Sequence, residues 1–229
     1  MKTPSHATLN EFIENLAFSK PDQVISSFQD EINIYTIKEL NDRANLLAKG
    51  FLYNNVGKNT PVALVIAGTT NCLTFILALA KVGAVLIPIN KNLELRLIEK
   101  ILQSEKVHTI GFYADLFLKT FQLLVPNLTQ NERGYLLSET FPALKNIVTL
   151  GSIKNRGIFT TRELMLVGSH IDDIEMENSV ISISPTDVFI RKVTINKNDH
   201  LKVESITHGE ILKNNFTFSA LQNYLFNLI

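Results

Sequence analysis

Between Pro61 and Ala80 the chain runs for twenty residues without a charge, PVALVIAGTTNCLTFILALA. A stretch that long and that apolar has to be buried, in a bilayer or in a protein core. Its middle decides between the two. Gly68-Thr69-Thr70-Asn71 reads as a turn with helix-capping residues, set between a β-branched strand, Val62–Ile66, and an apolar helix, Thr70–Val82. Gly83 stops that helix, and Ala84–Ile89 supplies a second apolar strand, broken at Pro88. The segment is therefore expected to be a buried strand–helix–strand unit and not a membrane span. Continuous apolar strands joined by helices require a parallel sheet that is covered on both faces.

The same alternation extends in both directions. Downstream, the patterns predict a helix over Leu93–Ser104, a strand over Val107–Phe112 and a helix over Tyr113–Leu124. Gln130–Thr140 is polar and reads as a loop or short helix, and Asn146–Gly151 as a further strand. Thr160-Thr161-Arg162-Glu163 has the capping-box pattern and opens a helix through Leu166. Acidic Gly168–Asn178 reads as a surface connection. Strands at Val188–Val193 and Val203–Ile206 follow, then one helix over His208–Leu228. Upstream lie a helix at Leu9–Leu16 and a strand pair at Gln23–Phe28 and Ile32–Tyr35. A capping box at Thr36-Ile37-Lys38-Glu39 then starts a helix with Leu40, Ala44, Leu47 and Phe51 on one face. The fold class is α/β, a largely parallel sheet with helices on both faces, in one domain with no repeat, low-complexity tract or linker.

Charge and cysteine usage narrow the setting. Lys+Arg and Asp+Glu balance at 22 each, which gives no electrostatic ground for nucleic acid or an anionic membrane as partner. The single Cys72 rules out an internal disulfide and suits a reducing, cytoplasmic compartment. It lies in an apolar helix and reads as a core thiol. MKTPSHATLNEF has no apolar core of the kind a secretory signal carries. His6, His108 and His170 are scattered without ligand-spaced partners, so no metal site is indicated, and no nucleophile–base set stands out.

Four segments, in order, resemble the N-terminal part of the AMP-forming acyl-adenylate ligases, the acyl-CoA synthetase and adenylation-domain superfamily. Tyr35-Thr36-Ile37-Lys38-Glu39-Leu40 is similar to the family's first core motif, and Leu79–Asn90, LAKVGAVLIPIN, to the second, with its Gly stop, short strand and Pro at fixed offsets. Phe141–Val148, FPALKNIV, resembles the strand that precedes the phosphate loop. The fourth segment is Asp187–Leu212, DVFIRKVTINKNDHLKVESITHGEIL, which keeps the frame of the loop itself. Thr194 falls on the loop's first Thr, Lys202 on its second Lys, and Thr207-His208 on the Thr-His pair that opens the next helix. The loop glycines are replaced by Asn196, Asp199 and Val203, and its first Lys by His200. Glycines serve there because bare backbone N–H groups approach phosphate closely and accept φ > 0. Val resists that conformation, and Asp places an anion where phosphate should sit.

The resemblance implies ATP-dependent activation of a carboxylic acid to an acyl-AMP, then thioester formation, with ATP, Mg and coenzyme A as the family's cofactors. With the loop altered, no catalytic residue and no cofactor is assigned to this chain. Thr194 and Lys202 are its only candidate nucleotide-binding residues, as a vestigial phosphate loop. His208 is expected to cap and pack the helix start. The family's later segments, including its small C-terminal catalytic domain, have no counterpart over residues 1–229. The expectation is a truncated, catalytically silent ligase-like protein. Half of a split ligase completed in trans and a non-catalytic interaction module stay open. Phe218, Leu221 and Leu225, widened by Leu212, Phe216 and Phe226, form an apolar stripe on the last helix. Left exposed, that stripe would favour a homo-oligomer or a protein partner.

Overall fold

The structure, a computed structural model, describes residues 7–25, 35–151, 154–195, 200–213 and 217–228. The charge-free segment forms β1 (Pro61–Val65) and α3 (Thr70–Val82), continued by β2 (Val85–Ile89). Thr69 caps α3, accepting from the Cys72 N–H at 3.1 Å, and Gly83 ends it with a left-handed φ of 68°. Before this unit stand α1 (Leu9–Ser19) and α2 (Ile37–Tyr53). After it come α4 (Leu95–Ser104), β3 (Thr109–Phe112), α5 (Ala114–Leu124), a 3-10 turn at Leu128–Gln130, β4 (Asn146–Thr149) and β5 (Phe159–Thr160). The chain continues through α6 (Thr161–Gly168), α7 (Asp173–Ile181), β6 (Val188–Ile195), β7 (Leu201–Thr207), α8 (His208–Lys213) and α9 (Phe218–Phe226). Among the described residues no helix is long and apolar enough to cross a membrane.

The strands form one seven-stranded sheet in the order β5-β4-β3-β1-β2-β6-β7, parallel throughout except for the antiparallel β6–β7 pair. Alternate side chains of β1 divide the core. Val62 and Leu64 join the cluster beneath α1, α2, α3, α8 and α9, while Ala63 and Val65 join the one beneath α4 and α5. Helices thus cover both faces. On the first face Phe75 of α3 lies so close over Gly111 of β3 that a Cβ there would meet the ring at 2.7 Å. The same-side packing of α2 and α6 is tighter still. A Cβ on Gly168 would stand 2.0 Å from the Leu46 carbonyl oxygen, and one on Gly50 2.2 Å from that of Leu164.

Four helices open on the same Thr-x-x-Glu logic. Thr8/Glu11, Thr36/Glu39, Thr160/Glu163 and Thr207/Glu210 each exchange side-chain and backbone hydrogen bonds at the start of α1, α2, α6 and α8. Lys81, only 1% exposed, pins α3 to α1: its Nζ donates to Asn10 Oδ1 at 2.7 Å and to Glu14 Oε1 at 3.4 Å. Burial lowers its pKa to about 8, against the opposing pull of Glu14.

Several boundaries differ from the sequence expectation. Pro88 does not break β2. Val85 donates to Thr60 on the β1 side, so Leu86 and Pro88 turn their backbone groups toward β6, whose pairing with β2 is limited to Leu86↔Ile190. The missing N–H therefore falls beyond the ladder. Much of the acidic 168–178 connection is helical, as α7 capped by Asp172. The last helix is two helices, because Thr217 caps α9 afresh by accepting from the Ala220 N–H. The apolar stripe is not exposed: Leu212, Phe218, Leu221 and Leu225 are 0–4% exposed inside the first core cluster. Of the strand pair before α2, the described part is a single bridge, Val24↔Thr36. The rest of it, with His6, Asn196, Asp199 and Phe216, lies outside the described residues.

The α2–α6 contact yields a direct test. Gly168→Ala should lower stability by about 1–3 kcal/mol, the cost of overpacking a tight site, read as a lower urea midpoint with unchanged slope. An unchanged midpoint would show that the two helices do not meet backbone to backbone.

Candidate functional site

In a sheet wound in both directions, ligands bind outside the carboxyl ends of the strands, where the winding reverses. Here that place lies between β1 and β3, since β1 leads to β2 through α3 on one face and β2 to β3 through α4 on the other. The protein's own side chains bridge it. Thr69, just past β1, and Tyr113, just past β3, share a hydrogen bond of 2.5 Å between their hydroxyls. Next to them Asn71 donates to the Leu150 carbonyl beyond β4 and accepts from Arg43, both at 3.3 Å. The Arg43 guanidinium lies 4.9 Å from the ring centre of Tyr35. Thr149 Oγ1 accepts the Ala114 and Gly151 N–H groups. The Thr69–Tyr113, Asn71–Leu150 and Ala114–Thr149 bonds each tie one strand end to another, and Arg43 adds α2 to the group.

The candidate phosphate loop lies at the edge of the sheet, in the β6–β7 hairpin, on the same carboxyl side of the strands as the β1–β3 switch point. Thr194 and Lys202 are brought directly opposite each other as cross-strand partners, and the Thr194 hydroxyl donates to the Lys202 carbonyl at 3.4 Å. Val203 pairs with Val193, and Ile195 with Leu201. β6 thus runs two residues past its expected end at Val193, and β7 begins two residues before its expected start at Val203. Of the loop frame, the described flanking positions, 194–195 and 201–203, are ladder positions here. Among the described residues the non-glycine sites with positive φ are Asn55, Asn59 and Lys106, so Val203 keeps strand geometry. β-branched Val193, Thr194, Ile195 and Val203 all favour that extended state.

His208 is closed to solvent, at 0% exposure. Its ring lies over Phe189, with centroids 5.0 Å apart, and its Nδ1 accepts the Leu9 N–H at 3.4 Å. It therefore locks α8 to α1. Because Nδ1 accepts, Nε2 carries the proton, and that buried nitrogen has no hydrogen-bond partner. Burial lowers the imidazole pKa to about 4, more than the Asp187 carboxylate raises it, with Lys58 lowering it further. Sequence reasoning found His208 but not its partners, because Phe189 and Leu9 lie far from it along the chain.

Two surface grooves lie away from both places. One, of about 570 Å³, includes Leu124, Pro142 and Lys145 at the amino edge of the sheet. The other, of about 720 Å³, runs between α1, α2 and α7 past Glu14, Asp42, Lys49 and Glu177. Among the described residues, no group of three or more His, Cys, Asp or Glu is placed to hold a metal ion.

His208 fixes a pH signature. Its folded pKa of about 4 lies below the ordinary 6.5, so the unfolded chain binds more protons between those values. The His208 contribution to stability should be intact above pH 6.5 and be lost as the pH drops from 6.5 toward 4. A His208→Phe variant, compared by denaturant midpoint across that window, should show a shallower fall. Parallel curves for the two proteins would mean that the ring is hydrated and not buried neutral.

Comparison with known proteins is consistent with this architecture. The family model described as AMP-binding enzyme matches residues 13–145, more than half of the chain, and ends before the β6–β7 hairpin. A Bacillus subtilis protein described as an acyl-CoA synthetase, YngI, is 24% identical over 213 residues, which is 91% of this chain and 39% of that protein. Among solved structures, a long-chain-fatty-acid-CoA ligase from Archaeoglobus fulgidus shares the fold with a TM-score of 0.70 at 20% identity, over 94% of this chain and 39% of that one. An anthranilate CoA ligase solved with anthranoyl-AMP gives 0.69 at 14% identity, over 91% and 36%. The chain thus spans well under half the length of these relatives. Its sheet order, helix placement and matched residues make it a member of the AMP-binding enzyme family, with the architecture of the N-terminal subdomain of the acyl-CoA ligases.

Proposed function

We propose that this chain is an acyl-CoA synthetase-like member of the AMP-binding family that does not form acyl-adenylate by itself. The observation that carries the reading is the Thr194–Lys202 pair. In the family's frame these two residues bracket an open, glycine-rich loop. Here they face each other across an antiparallel ladder, with the threonine hydroxyl engaged by a backbone carbonyl. A phosphate needs several backbone N–H groups converging on one point, whereas an antiparallel ladder spaces them along a line and spends alternate ones on the partner strand. The bridged switch point between β1 and β3 supports the same reading, since the Thr69 and Tyr113 hydroxyls are already committed to each other and the Asn71 amide to the Leu150 carbonyl.

A second reading has its own support. The chain spans 39% of the length of the YngI relative, so a further polypeptide carrying the rest of a ligase could complete the site in trans. Under that reading Thr194 and Lys202 act only after the hairpin has opened, and ATP, Mg and coenzyme A are cofactors of the assembly.

A carboxylate-dependent ATP–pyrophosphate exchange assay separates the readings. The purified chain should give no exchange above background with short, long or aromatic carboxylic acids at millimolar Mg·ATP. Exchange by the chain alone would overturn the proposal. Exchange that appears only on adding a polypeptide corresponding to the remainder of a ligase would establish the trans-completed form.

A further inference from the structure

The surface expected to attract a partner, the stripe on the last helix, is buried within the chain, while a different element is left open. Among the described residues β7 is the outermost strand of the sheet, paired on one side only, with β6. Its central residues Lys202, Val203, Glu204 and Ser205 are all exposed, and Val203 is 43% exposed despite being aliphatic. An uncovered edge strand presents a row of unpaired backbone N–H and C=O groups, a template for a further strand. Such edges are usually protected by charged side chains, lysine above all, by proline, by a bulge or by an inward-pointing charge. Lys202 and Glu204 are charges of that kind, and they oppose pairing except with a strand that sets opposite charges against them. The irregularity in this pair lies near Val188–Ile190, at the far end from Val203.

The sequence of β7 selects the occupant. We propose that β7 pairs antiparallel with β7 of a second copy of this chain, about a two-fold axis through Val203. In that register Lys202 lies opposite Glu204 of the second copy, Glu204 opposite its Lys202, and Val203 opposite Val203. Antiparallel cross-strand neighbours of opposite charge attract, and an aliphatic pair at the axis removes both side chains from water. Within each copy Glu204 already faces Lys192 across the hairpin. The result is a ladder of alternating sign across the dimer: Lys192, Glu204, then Lys202 of the second copy. Moving the axis onto Glu204 would instead set two glutamates face to face, so the charges also exclude that neighbouring register. Leu201 shares Val203's side of the sheet, and both it and Val193 pack on the cluster beneath α4 and α5. An isologous contact of this kind closes at two copies and joins two sheets into one of fourteen strands. A contact built on one strand pair is small, so the association is weak, with a Kd between about 1 µM and 1 mM.

Charge variants read by sedimentation or light scattering over that concentration range test the register. The wild-type chain should rise from 25.7 kDa toward twice that mass as concentration increases. Lys202→Glu sets like charges opposite at both symmetric positions, as does Glu204→Lys, so each variant alone should stay monomeric. An equimolar mixture of the two restores opposite charges at every position and should dimerise at least as well as wild type. Val203→Lys, at an exposed site, should be monomeric by itself and covers the case in which Glu204→Lys, which meets Lys192, disturbs the hairpin. Circular dichroism confirms that each variant is folded. The proposal is overturned if wild type stays monomeric throughout, if Val203→Lys dimerises normally, or if two folded charge variants fail to pair on mixing.

Discussion

The structure depends on burying one uncharged strand–helix–strand unit from two sides at once. Val62, Leu64 and Ile66 point to one cluster and Ala63 and Val65 to the other, so β1 is stable only when helices cover both faces. Each large side chain buried there contributes about 1.5–3 kcal/mol. α1, α2, α8 and α9 then close over one face. They are fixed by few but specific polar contacts: Lys81 to Asn10 and Glu14, and the Leu9 N–H to His208. Both titratable groups have pKa values lowered by burial, so the polar ties that orient the helices become costlier as they gain protons.

The same preference for extended, β-branched backbone that builds the centre of the sheet also acts at its β6–β7 edge. An open phosphate loop requires backbone that departs from strand geometry, which glycine provides at little steric cost. Val203, with its neighbours Leu201 and Lys202, goes instead with β7, and Thr194 and Ile195 go with β6. The balance between loop and ladder is thus set by local backbone preference. Lys202 remains as a cation but becomes a ladder residue.

Most of the fold was legible in the sequence because it rests on local signals. Thr36/Glu39 and Thr160/Glu163 announced their helices, Gly83 its helix end, and the apolar runs their strands. What was hidden depends on distant partners. α7 has little amphipathic signal, since among its residues with described side chains Met176 alone is fully buried. The break before α9 turned on Thr217, which reads as an ordinary helix residue until it is seen accepting from Ala220. The Gly50–Gly168 contact and the Thr69–Tyr113 bridge join positions remote in sequence, and no spacing rule could pair them. Of the candidate site, Thr194 and Lys202 were identifiable by their frame. Their direct pairing followed only from the longer strands.

Residues 194 and 202 pair in a zipped hairpin, and it is this pairing that sets the chain apart from one with an open nucleotide loop. Residue-resolved amide exchange and cross-strand NMR contacts, recorded with and without millimolar Mg·ATP, test it most directly. A zipped hairpin gives contacts between the backbones of Thr194 and Lys202 and of Val193 and Val203, slowed exchange at the inward-facing amides of β7, and no change on adding nucleotide. Absence of those cross-strand contacts, or their loss with saturable shifts at residues 194–203 when Mg·ATP is added, would contradict it.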